Sequence, residues 1–109
     1  MKILITGPTG CIGSRVLREL LAPEFSVRVM AGEPTRLPDE IRAHVEVIRG
    51  STDDAATLRR ALDDVDALFW CVPRAPLQET DGRGHYERFA RAGRRAVREA
   101  GTPRVVTLS

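Results

Sequence analysis

An α/β fold built on a doubly wound parallel sheet is what this chain predicts, and three observations predict it. Apolar runs of strand length alternate with amphipathic stretches of helical period along the whole chain. The first run, Lys2 to Thr6, leads straight into Gly7, Gly10 and Gly13, evenly spaced. The run Ala67 to Val72 is continuously apolar, as a strand covered on both faces must be. Five strands separated by helices or crossovers imply parallel pairing with right-handed connections, in the order 3-2-1-4-5.

Each element follows from its residues. Lys2 to Thr6 is the first strand. In Ile12 to Leu21 the residues Ile12, Val16, Leu17, Leu20 and Leu21 share one helical face, and Arg15, Arg18 and Glu19 take the other. Pro23 ends that helix. Ser26 to Ala31 is the second strand, with Val27 and Val29 on one face and Arg28 on the other. Pro34 and Pro38 mark a loop, with a helical turn near Asp39 to Ala43. Val45 to Ile48 is the third strand, closed by Gly50. Asp54 caps a helix whose apolar stripe is Leu58, Ala61 and Leu62. Asp63, Asp64 and Asp66 oppose the helix dipole at its far end and are expected in water. After the fourth strand, Pro73, Pro76, Gly82 and Gly84 lead to a long helix from about His85 to Ala100. Gly101 stops it, and Arg104 to Leu108 is the fifth strand.

The glycine turn carries the chemistry. A strand that exits through Gly7 and opens a helix near Ile12 can bring backbone N–H groups against a pyrophosphate. Gly7 permits the tight exit, Gly10 leaves room for a phosphate, and Gly13 allows close helix–strand packing. Unpaired N–H groups and the partial positive charge of the helix start favour an anion, and Thr9 adds a hydroxyl. The alternative phosphate loop requires a lysine and wider glycine spacing, and Ser14 follows Gly13 here. In a sheet of this order the ligand crevice lies where the winding reverses, between strands 1 and 4 at their carboxyl ends. The segments gathered there are the turn from Gly7 to Gly13 with Thr9, Gly10, Cys11 and Ile12, the loop after Ala31 that holds Gly32 and Arg36, then Gly50, Ser51 and Thr52, Val72 and Pro73, and Ser109.

Composition narrows the partners. The 109 residues suit one domain, and a net charge of +2 from 17 basic and 15 acidic residues leaves no basic stripe for nucleic acid. No apolar run is long enough to span a membrane, and no leader precedes the first strand, so a cytoplasmic location is expected. Cys11 and Cys71 have no metal-ligand spacing and read as reduced, partly buried thiols, with no metal site.

The stretch KILITGPTGCIGS at residues 2–14 resembles the opening of the NmrA-like group of atypical short-chain dehydrogenases/reductases. Three further stretches are similar to that group. They are VRVM at 27–30; VEVIRG at 45–50 with Asp54, Leu58, Ala61 and Leu62; and EAGTPRVVTLS at 99–109. The resemblance runs along essentially the whole chain. It implies a Rossmann-like domain over residues 1–109 that binds NADP(H) or NAD(H), in proteins that are reductases or non-catalytic redox sensors.

Departures from that group shape the expectations. Gly32 stands where the group commonly has an arginine for the NADP 2′-phosphate, leaving Arg36 at a second basic position. Glu33 is the nearest carboxylate to a ribose diol. This balance leans slightly towards NADP(H). Ser51 replaces an acidic residue near the adenine. The group continues beyond the fifth strand with a sixth strand and a substrate-binding part, so this chain is expected to be the cofactor-binding half. Tyr86 lacks the lysine that completes a Tyr-x-x-x-Lys pair, Ser109 lacks a partner, and His44 and His85 have no triad-like neighbours. No catalytic set is assigned.

The main reading is therefore the cofactor-binding half of an NAD(P)-dependent oxidoreductase, not competent for turnover alone. The alternative is a non-catalytic dinucleotide sensor acting through a protein partner. The fifth strand, with Val105, Val106 and Leu108, would form an uncovered edge and is expected to self-associate. Gly10→Val is expected to abolish dinucleotide binding, measured by calorimetry, while circular dichroism stays that of the parent chain. Unchanged affinity would remove the glycine turn from the site.

Overall fold

Short apolar segments with side chains alternating to two sides, all buried, can be satisfied only by a sheet with helices on both faces. The computed structural model describes residues 1–8, 11–51, 54–71, 91, 93–102 and 104–108, with backbone alone at 11, 12, 107 and 108. The strands are β1 (Lys2–Thr6), β2 (Ser26–Ala31), β3 (Glu46–Arg49), β4 (Ala67–Cys71) and β5 (Arg104–Leu108). All pair in parallel in the order β3-β2-β1-β4-β5, as the sequence predicts. Between them lie α1 (Cys11–Glu19), α2 (Asp39–Arg42) and α3 (Ala55–Ala61), with a 3-10 turn at Pro34–Arg36. Residues 93–100 are helical and form α4. The expected start of that helix near His85 lies outside the described residues, as does Val72 at the expected end of the fourth strand.

The alternation of β1 and β2 divides the core in two. Ile3, Ile5, Val27 and Val29 pack with Leu17 of α1, Ile41 of α2 and Leu37. Leu4, Met30, Leu68 and Trp70 pack on the other face with Leu58 and Ala61 of α3, Leu62, and Ala96 of α4. Each fully buried aliphatic side chain contributes about 1.5–3 kcal/mol, so these two layers are the main stabilising term.

Three polar devices set the helices against the sheet. The Asp54 carboxylate accepts from the backbone N–H of Ala56 at 3.1 Å and of Thr57 at 3.5 Å, and from the Thr57 hydroxyl at 2.8 Å. It is the N-cap expected from the sequence. At the other end of α3, Arg28 reaches from β2 and donates through Nη1 to the carbonyl oxygens of Ala61 (2.7 Å) and Asp63 (2.8 Å). Its Nε donates to Glu46 on the neighbouring strand at 2.9 Å. The arginine on the second face of β2 is therefore a buried cap, and a cation there also suits the helix dipole. Gly101, at φ +69°, closes α4 with its N–H donating to the Val97 carbonyl at 2.9 Å.

Several boundaries differ from the sequence reading. Helix α1 starts at Cys11 and ends at Glu19, so Leu21 falls off its buried face and is exposed. Strand β3 is shifted by one residue to Glu46–Arg49, because its register is set by pairing with Arg28 through Ala31. The Asp66 carboxylate, expected only in water, accepts from the Lys2 backbone N–H at 2.8 Å, and the Asp66 N–H donates to the Lys2 carbonyl at 2.8 Å. That pair starts the β1–β4 ladder. Asp64 takes a positive φ of 62° in the same turn.

Hydrogen bonds from the Thr57 hydroxyl and N–H, then from the Ala56 N–H, and least the Arg60 charge, hold the Asp54 carboxyl below its ordinary pKa. A carboxyl depressed on folding stabilises the native state above its unfolded pKa, and this contribution disappears as pH falls through the folded value. Asp54→Ala is expected to lower the melting temperature at pH 7. The gap between variant and parent should narrow as pH falls below the ordinary value of 3.8. Thermal scans of both proteins across that range test this, and a gap independent of pH would exclude the carboxylate as the cause.

Candidate functional site

Because all five strands run the same way, their carboxyl ends meet at one edge. There β1 delivers Thr6 and Gly7, β2 delivers Ala31 and Gly32, β3 delivers Arg49 and Gly50, and β4 delivers Cys71. Strands β1 and β4 are adjacent and the strand order reverses between them, which is where a sheet of this order opens a ligand crevice.

The β1–β4 register runs from Ile3 with Ala67 to Ile5 with Phe69. Beyond it a side chain continues the pairing. The Thr6 hydroxyl oxygen accepts from the Cys71 N–H at 2.8 Å and lies within donating distance of the carbonyl oxygens of Cys71 (3.1 Å) and Phe69 (3.3 Å). Thr6 is wholly buried. It satisfies a buried amide at the point where backbone pairing stops, and so fixes how β1 leaves the sheet.

Gly7 then turns the chain at φ +62°, a conformation that side chains oppose, and a Cβ there would lie 2.6 Å from the Cys71 carbonyl oxygen. A Cβ on Gly13 would overlap the Gly7 carbonyl oxygen. The exit of β1 and the first turn of α1 are thus in backbone contact. The N-terminus of α1 sits directly beside the crevice, and its first turn contains no acidic residue. These features suit an anion held by backbone N–H groups.

The other residues expected at the site divide into three groups. Gly32, Arg36 and Ser51 lie in the segments leaving the carboxyl ends of β2 and β3. Cys11 and Ile12 lie in the first turn of α1 by backbone position. Thr9, Gly10, Thr52, Val72 and Pro73 lie outside the described residues, as do Tyr86, His85 and Ser109. The Arg36 guanidinium pairs with Glu33 at 3.0 Å, both side chains being about two-thirds exposed, 69% and 65%. Among the described residues, and apart from its chain neighbours, no atom lies within 4 Å of where a Gly32 Cβ would stand, so nothing there packs against that glycine. His44 is exposed. Burial raises the pKa of the free Cys71 thiol, which keeps it protonated and unreactive.

Sequence reasoning did not select Thr6. Its signal was a lone hydroxyl at the end of a buried apolar strand, where a polar group requires a partner. Among the described residues no cluster of metal-ligating side chains occurs, and no helix is long and apolar enough to cross a membrane.

Comparison with known proteins agrees with this geometry. A family model described as NAD(P)H-binding matches residues 7–109. Over 82 residues the chain is 43% identical to (4-alkanoyl-5-oxo-2,5-dihydrofuran-3-yl)methyl phosphate reductase of Streptomyces griseus, covering 74% of this chain and 28% of that protein. The structure is similar to a short-chain dehydrogenase/reductase from Veillonella parvula (TM-score 0.77, 22% identity, 99% of this chain, 46% of that one). It is also similar to the enzyme WbmG of Bordetella bronchiseptica in complex with NAD (TM-score 0.78, 25% identity, 98% of this chain, 36% of that one). The chain thus spans less than half the length of each of these proteins.

The contrast between two glycines tests the packing argument. Gly13→Ala forces backbone apart and is expected to cost about 3 kcal/mol. Gly32→Ala meets open space and should stay within about 0.5 kcal/mol of the parent. Urea unfolding of both variants measures the difference, and equal stabilities would refute the close contact at Gly13.

Proposed function

The chain belongs to the NAD(P)H-binding family, and from that membership we propose that residues 1–109 are the cofactor-binding half of an NAD(P)-dependent oxidoreductase. The observation that carries the reading is the backbone contact of Gly7 and Gly13 beside the acid-free start of α1. Main-chain donors at the start of α1 would then face the crevice, with no carboxylate in the first turn to repel a pyrophosphate. The wider set of Gly7, Thr9, Gly10, Cys11, Ile12 and Gly13 would hold the pyrophosphate. Gly32, Arg36, Ser51 and Thr52 would border the adenosine, and Val72 and Pro73 the nicotinamide side. The nicotinamide supplies or accepts the hydride; the chain's part is to bind and orient it. A small carbonyl-type substrate is the corresponding acceptor class, and the similarity to a reductase supports it.

The pair Arg36–Glu33 bears on which dinucleotide is preferred. An exposed ion pair is worth no more than about 1 kcal/mol, whereas a charge-assisted contact to a phosphate is worth about 1.5–3 kcal/mol. A 2′-phosphate can therefore take Arg36 from Glu33, while the carboxylate released beside it limits the gain. This favours NADP(H) over NAD(H) by a small margin. A buried reduced thiol at Cys71 is in keeping with a cytoplasmic setting. Val105 and Val106, 45% and 41% exposed on β5, the last strand in the order among the described residues, support self-association through that strand.

Calorimetric titration with NADPH and NADH in parallel tests the reading. Both are expected to bind saturably, NADPH more tightly. Arg36→Ala should weaken NADPH more than NADH, and Glu33→Gln should strengthen NADPH. Absence of binding by either dinucleotide would overturn the proposal, and equal losses in Arg36→Ala would mean that Arg36 does not read the phosphate.

A further inference from the structure

The carboxyl ends of β1, β2 and β3 form one row beside the start of α1. Val27 and Val29 of β2 pack on the α1 face of the sheet with Leu17, Leu37 and Ile41, and Val47 of β3 packs against them. Side chains two residues apart on a strand share a face, so Arg49, the last residue of β3, stands on the same face as Val47. Its register partner on β2 is Ala31, and the Gly50 N–H still donates to the Ala31 carbonyl at 3.1 Å. The end of β3 is thus held against the end of β2, with Arg49 level with the residue before Gly32.

The space beside Arg49 is open. Among the described residues, and apart from the chain neighbours of Gly32, no atom lies within 4 Å of where a Gly32 Cβ would stand. The Pro34–Arg36 turn follows, and Leu37 after it is buried in the same apolar layer, which keeps the turn on this face. Two guanidinium groups belong to this corner, and they differ. Arg36 is engaged by Glu33 at 3.0 Å. Arg49 is exposed, and no carboxylate lies within ion-pair distance of it among the described residues. The other charged side chain on β3, Glu46, is taken by Arg28 at 2.9 Å. A phosphate can engage Arg49 without breaking an ion pair, whereas it must take Arg36 from Glu33.

Neighbouring strands lie about 4.8 Å apart, so the end of β3 stands roughly 10 Å from that of β1. A dinucleotide whose pyrophosphate sits at the start of α1, with its adenosine beside Gly32, carries its ribose along this row towards Arg49. The ribose 2′-oxygen is the one place where NADPH differs from NADH. We infer that Arg49 is the principal specificity-determining residue for the dinucleotide. Its guanidinium reaches over Gly32 from the end of β3 and binds the 2′-phosphate of NADP(H) as a fork, with Arg36 as the weaker second partner. This rests on the reading of residues 1–109 as a dinucleotide-binding half.

Calorimetric titration of the 109-residue chain with NADPH and with NADH measures the preference directly. Arg49→Ala is expected to weaken NADPH at least about tenfold, equivalent to about 1.4 kcal/mol, and to leave NADH affinity unchanged. Arg36→Ala should lose less of the preference than Arg49→Ala does. Arg49→Lys, which keeps the charge but not the fork, should retain part of it. Arg18→Ala removes an exposed cation from the last turn of α1 and should change neither affinity, which separates a local contact from the effect of net charge. The second proton of a phosphate monoester titrates near pH 6, so the parent's preference should fall as pH drops through about 6, and Arg49→Ala should flatten that fall. Equal losses of NADPH and NADH in Arg49→Ala would overturn the inference and leave dinucleotide binding intact. So would a parent that binds NADH as tightly as NADPH, an unchanged preference in Arg49→Ala, a larger loss in Arg36→Ala, or the same loss in Arg18→Ala. Absence of binding by both dinucleotides would overturn the underlying reading, and this inference with it.

Discussion

The contact of three backbones, at Gly7, Gly13 and Cys71, is the constraint on which the rest of the carboxyl edge depends. A side-chain carbon at Gly7 would strike the Cys71 carbonyl, and one at Gly13 would strike the Gly7 carbonyl. Close packing of this kind has no slack, since interiors are as dense as organic crystals. It sets the distance of α1 from the sheet and brings the start of that helix to the gap between β1 and β4. Thr6 completes the arrangement by replacing the ladder with its hydroxyl where the two strands diverge.

Charge is distributed along the strand axis with a consistent logic. At the carboxyl edge the first turn of α1 carries no acid, the Asp54 carboxylate is occupied by the amides and hydroxyl at the start of α3, and Glu33 is matched by Arg36. The free carboxylates of the α3–β4 turn gather at the opposite end, where Asp66 ties β4 to β1. Arg28 bridges the middle, since it caps α3 and pairs across to Glu46 on β3. Among the described residues, the start of α1 therefore carries no carboxylate that would oppose an anion.

The two lateral edges of the sheet are finished differently. β3 is short and carries Glu46 and Arg49, both exposed, a common way to blunt an edge. β5, the last strand in the order among the described residues, presents Val105 and Val106 to opposite faces, both exposed.

What the sequence by itself determined is what local chemistry decides. The period of the apolar residues marked five strands, and their alternation with helices implied a parallel sheet in the order 3-2-1-4-5. The spacing of Gly7, Gly10 and Gly13 after a strand marked the turn, and Asp54 announced its own helix. The bounds of β1, β2 and β5 needed no revision, because their apolar runs are cut off sharply by Gly7, Gly32 and Gly101 with Pro103. Tertiary structure alone decided the roles that depend on residues far apart in the chain. Thr6 answers an amide of Cys71, Arg28 answers carbonyls of Ala61 and Asp63, Asp66 answers Lys2, and β3 takes its register from β2 rather than from its own valines. Each of these is a polar group whose partner becomes adjacent only when parallel strands align. Periodicity reports which side of an element is buried; it does not report which donor will stand opposite which acceptor.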